Sequence, residues 1–127
     1  MFGRKVKTEE TEKPLDHGMV EYIGGHKAYP QSTYSEVYFY EDRIELQAYK
    51  LKIPFNQIKK VDSTREWKQH EDAHSLGIMG LLWKRNAVYT VIEYNDGVDD
   101  QTVVIDFRNN ANYAQGLIYK KMLEFRK

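Results

Sequence analysis

Cysteine is absent from the 127 residues, which removes thiol nucleophiles, thiolate metal sites and disulfide frameworks at the outset. Excess charge is missing too. Lys and Arg number 19 and Asp and Glu number 19, so the formal net charge is zero and no global field would hold nucleic acid or an anionic bilayer. Any such binding would need a local patch, and no nucleic-acid partner is expected. The longest apolar run, Leu76 to Trp83, falls far short of the ~20 residues that span a bilayer. The opening MFGRKVKTEETEKP has no apolar core of the signal-peptide kind, and Phe2 stands where myristoylation would need glycine, so the expected location is cytoplasmic. Neither G-x-G-x-x-G nor a P-loop nor a G-x-S-x-G elbow occurs. No cofactor is therefore expected. Proline occurs three times, at Pro14, Pro30 and Pro54, each where regular structure should stop.

What the chain does have is aromatic and β-branched residues in alternation. Ten tyrosines, five phenylalanines and a hydrophobic fraction of 41% suit one soluble globular domain, and a chain of this length should bury roughly two-thirds of its unfolded surface. Residues 1–18 are polar and read as a flexible lead-in to a domain over 19–127. Met19–Ile23 reads as a strand stopped by Gly24-Gly25. Tyr34–Tyr40 and Arg43–Tyr49, separated only by Glu41-Asp42, form the clearest hairpin, with Val37 and Phe39 on one side and Ile44, Leu46 and Ala48 on one face of the second strand. Leu51–Ile53 follows, Pro54 ends it, and FNQI can make one helical turn before Lys59–Glu66 resumes extended structure. Residues 67–87 are compatible with helix, strand or loop. Ala87–Tyr94 and Thr102–Phe107 flank an acidic loop, and in the latter Val103, Ile105 and Phe107 share a face.

From Asn110 the period changes to that of a helix. Ala111, Ala114, Leu117, Ile118, Met122 and Phe125 form one apolar stripe, with Lys121 inside it, Gly116 opposite, and Asn109 or Asn110 placed to cap. The stripe predicts that Ala114, Leu117, Ile118, Met122 and Phe125 are buried and that the Lys121 stem runs out to solvent. A lone terminal helix of this kind must lie on the sheet. The expected fold is mainly β: a bent antiparallel sheet or open barrel of about seven strands, capped by one C-terminal α-helix.

Candidate chemistry is sparse. His70-Glu71-Asp72-Ala73-His74 satisfies H-E-x-x-H, the zinc pair with a glutamate base, yet Gly80 stands where the extended motif needs its third histidine and charged neighbours surround the pair. Catalysis there ranks last, and no catalytic or metal residue is assigned. His17, His26, His70 and His74 include no other pair with ligand spacing, and single loop histidines are expected at the surface. Asp96, Asp99 and Asp100 read as a polar hairpin tip rather than a calcium loop. The cations at Lys120, Lys121, Arg126 and Lys127 suit a helix C-terminus. Leu81, Leu82, Trp83, Lys84 and Arg85 form an amphipathic edge, the candidate interaction segment, able to dock a protein partner or dip into an anionic membrane surface.

Several segments go beyond element order. VYFYEDRIEL, the I-P-F-x-x-I turn of Ile53 to Ile58, LLWK, VYTVIEY and VVIDF followed by NNANYAQGLIYKKML resemble the small bacterial pleckstrin-homology-like (PH-like) domains related to the GRAM group, over roughly residues 19–126. The resemblance implies a bent sheet capped by a helix and a non-enzymatic binding or assembly module. Lipid-binding members of that superfold gather cations between their first two strands, where this chain offers only His26 and Lys27. The resemblance thus favours a protein partner or a homo-oligomer first, membrane contact through Leu81–Arg85 second, and a zinc hydrolase through His70, Glu71 and His74 last.

Overall fold

Residues 13–63 and 89–125 are described by a computed structural model. Seven strands, β1 Asp16–Gly24, β2 Thr33–Phe39, β3 Arg43–Leu46, β4 Leu51–Pro54, β5 Ile58–Ser63, β6 Thr90–Asn95 and β7 Asp100–Asp106, precede one helix, α1 Ala111–Glu124. They form a single antiparallel sheet in the order β4-β3-β2-β1-β7-β6-β5, open between β4 and β5 rather than closed into a barrel. The expected fold class holds.

Alternation explains the register. Val37 and Phe39 of β2 face Leu46 and Ile44 of β3, and the Tyr40 N–H donates to the Arg43 carbonyl at 2.8 Å, which leaves Glu41-Asp42 as the two-residue loop. Inward residues of all seven strands meet Ala114, Ile118 and Met122 of α1 in one core. Each large side chain removed from water there contributes about 1.5–3 kcal/mol. Ile23, Tyr89, Val91 and Val104 are buried outside that cluster, so β1, β7 and β6 carry apolar residues on both faces.

Several elements depart from expectation. Strand β1 starts at Asp16, not Met19, because Asp16, His17 and Gly18 pair with Phe39, Tyr38 and Val37. The strand expected over Arg43–Tyr49 ends at Leu46. A 3-10 turn over Ala48–Lys50 follows, with Tyr49 and Lys50 both at positive φ, and the Ala48 N–H donates to Ser35 Oγ instead of continuing a ladder. Asn110 does occupy the cap position of α1, but its side chain makes no capping hydrogen bond. Leu117 is only half-buried and Phe125 is 42% exposed, although its ring stacks on Phe55 at 6.3 Å. Lys121 is the larger surprise: it is buried, and its Nζ meets Glu41 Oε1 at 2.6 Å and Glu124 Oε1 at 3.5 Å. The Glu41 carboxylate holds its pKa above the usual lysine value. An ion pair to the β2–β3 loop, not the stem alone, takes this lysine out of the core.

Candidate functional site

Strand β1 carries one feature at each end. Its first half forms a wall of a cleft of about 160 Å³ between the sheet and the start of α1. Small residues leave room for it: a Cβ added at Gly18 would meet nothing within 4 Å, and Ala114 is among the residues lining its helix side. Val20, Val37, Phe39, Phe107 and Ala114 supply a buried apolar floor, with the Phe39 and Phe107 ring centroids 6.1 Å apart. Asp16, His17, Met19, Asn110 and Tyr113 form the rim, and Met19 and Tyr113 are exposed. The Asp16 carboxylate accepts hydrogen bonds from the Tyr113 hydroxyl and the His17 N–H, and these hold its pKa below the usual carboxylate value.

That volume decides what the cleft can take. Small-molecule and cofactor sites run to about 300–1,000 Å³. A cavity near 150 Å³ holds one benzene-sized group. The cleft is therefore the size of a single side chain.

The far end of β1 is a closed aromatic knot. Tyr22 donates its hydroxyl hydrogen to the Tyr29 carbonyl and accepts the His26 N–H, while Tyr29 and Tyr49 stack with centroids 4.4 Å apart. His26, expected at the surface, is buried between Tyr29 and Tyr94 with Nδ1 accepting the Ala28 N–H at 3.0 Å. Burial lowers its pKa against the opposing pull of Asp96, and burial pushes the Tyr22 hydroxyl up to about 12. Gln101 ties this loop to the acidic hairpin, accepting the Lys27 N–H and donating to Asp96. Asp96 also accepts the Val98 and Asp99 N–H groups, so its pKa falls to about 2. Lys27 and its neighbours thus brace the loop through their backbone.

The sequence-derived interaction segment Leu81, Leu82, Trp83, Lys84 and Arg85 lies outside the described residues, as do His70, Glu71 and His74. Among the described residues no three His, Asp or Glu side chains are grouped as a metal would require, and no helix is long and apolar enough to cross a membrane. The cleft was not visible in the sequence, since Asp16–Gly18 fall in the stretch read as a lead-in. The signal that could have found it is the hairpin register: extending the β2 pairing from Val37 to Phe39 demands partners at residues 18 and 16. No protein-family model matches the chain, and no curated protein matches it.

Proposed function

We infer that the protein is a non-enzymatic binding module of the PH-like, GRAM-related kind, and that it engages another polypeptide through the cleft between β1, β2 and α1. The observation carrying this reading is the side-chain-sized cavity with an apolar floor and a hydrogen-bonding rim. Such a seat suits one anchor residue, and interfaces concentrate their binding energy in few such anchors. Support for the family comes from the element order, seven antiparallel strands followed by a helix laid on the sheet, together with the quoted segments. An anchor side chain seated there would lie beside Tyr113, an amphipathic ring of the sort enriched at interfaces.

Gly18→Leu tests the reading, because it fills the cleft from a position where the added atoms meet no neighbour within 4 Å at the Cβ. Displayed random peptides are selected on the natural chain and then measured on both forms, with light scattering of each in parallel. Selected peptides, or a second copy of the chain, should bind the natural form and lose at least about tenfold in affinity, ~1.4 kcal/mol, on Gly18→Leu. Peptide binding or oligomer mass indifferent to Gly18→Leu would place the contact elsewhere. A monomer that selects no peptide would overturn the reading, and anionic vesicles that bind both forms equally would favour a membrane role.

A further inference from the structure

We propose that the occupant of the cleft is a lysine side chain presented by a partner polypeptide; the assignment rests on the protein-binding reading above and names its chemistry. Phe39, Phe107 and Tyr113 line the cleft together with one carboxylate, Asp16, and among the described residues no Lys or Arg lines it; His17, also on the rim, has its ring against that of Tyr38, with centroids 5.9 Å apart. Ring faces attract a cation within about 6 Å of their centroids, more strongly when water is excluded. The helix N-terminus brings roughly half a positive charge to the same place, which a full carboxylate charge outweighs. Among the described residues Asp16 is thus the one acid lining the cleft, and a carboxylate or phosphate guest would face it directly.

An apolar guest fits less well than a cationic one. Closing the cleft with a leucine or phenylalanine would strip water from Asp16 and return no counter-charge, which is costly for an ionised group. Lysine resolves both demands, with its methylene stem along Val20, Val37 and Ala114 and its ammonium at the rim. Arginine is the weaker match. Its planar fork is suited to a carboxylate with both oxygens open, whereas Asp16 already accepts from the His17 N–H at 2.8 Å and from Tyr113. An ammonium needs only the remaining acceptor directions, and Asn110, whose side chain makes no capping bond, also lines the cleft.

The test uses n-butylammonium as the lysine probe, with 1-butanol and butyrate as neutral and anionic counterparts of similar length. Each is titrated at constant ionic strength into the isotopically labelled chain while the amide signals of Gly18 and Ala114 are followed by NMR. n-Butylammonium should shift both signals saturably and bind at least about tenfold more tightly than either counterpart, ~1.4 kcal/mol. Asp16→Asn should erase that preference while leaving the butanol response. Equal binding of butanol and butylammonium, or a preference that survives Asp16→Asn, would overturn the lysine assignment alone. Failure of all three probes to move Gly18 would remove the cleft as a binding site and take the protein-binding reading with it. The probe comparison in the natural chain stands whether or not any variant folds.

Discussion

A methyl group placed on Gly25 would lie 2.6 Å from the carbonyl oxygen of Thr102, on the neighbouring strand. The backbone oxygen cannot rotate away, and Gly25 itself sits at φ +104°, where side chains are strained. Gly25→Ala should therefore cost about 2–4 kcal/mol in urea unfolding, from strain and overpacking together. Gly116 is the control. It lies exposed in α1 with nothing within 4 Å of an added Cβ, so Gly116→Ala should stabilise by about 0.5–1 kcal/mol.

Neighbours on the helix should differ sharply. Ile118 is wholly buried and Leu117 only half so, and Ile118→Ala should cost about 2–5 kcal/mol where Leu117→Ala costs ~1. Denaturant midpoints at unchanged slope measure the difference. Equal losses would mean that α1 is rotated on the sheet.

His26 should make stability fall in mild acid. Its folded pKa lies below the ordinary 6.5, so above that value both states hold it neutral and nothing is lost. As pH drops below 6.5 the unfolded chain takes up a proton that the folded chain refuses, and stability declines until the folded value is passed. His26→Asn, which keeps an acceptor for the Ala28 N–H, should flatten that part of the curve. Melting temperatures of both forms at pH 7.5 and pH 5 test this, and parallel curves would place the acid sensitivity elsewhere.

Lys121 separates stem from charge. Its Glu41 partner is 76% exposed, so the ion pair is screened and contributes ~1 kcal/mol or less. Lys121→Met, which keeps the stem, should change stability by under about 1 kcal/mol, whereas Lys121→Ala should cost ~1–3 kcal/mol through lost packing. A larger loss for the methionine form would make the Glu41 contact the main anchor of α1 on the β2–β3 loop.

The residues that declare themselves in the sequence are those whose neighbours lie in a repeating pattern. Val37, Phe39, Ile44 and Leu46 alternate because a half-buried sheet demands it, and the β2–β3 hairpin is legible from them. Asp16 and Gly18 face inward as well, yet they line an open cleft and so carry none of the apolar signal that marks an inward position. The part of β1 that builds the candidate site is for that reason the part that reads as a tail. His26 is hidden for another reason: its ring lies against Tyr29 of its own loop and against Tyr94 of β6, which strand pairing brings in from far along the chain. Tyr49 and Lys50 continue a strand-like composition, and the turn there is held by contacts from afar, the Tyr29 stack, the Tyr49 hydroxyl bond to the Gln31 carbonyl and the Ala48 N–H bond to Ser35 Oγ.

The sheet order has a consequence for how the chain is made. Strands β1 to β4 form one meander and β5 to β7 another, and the two are sewn together where Glu21 pairs with Asp106. A ribosome delivers Glu21 long before Asp106. Until the second meander emerges, one side of β1 presents unsatisfied N–H and C=O groups beside exposed core residues, a template that other nascent chains can extend. A nascent chain that has not yet reached β7 is thus the form of this protein most exposed to edge-to-edge aggregation, and the arrival of Val103 and Ile105 closes that window.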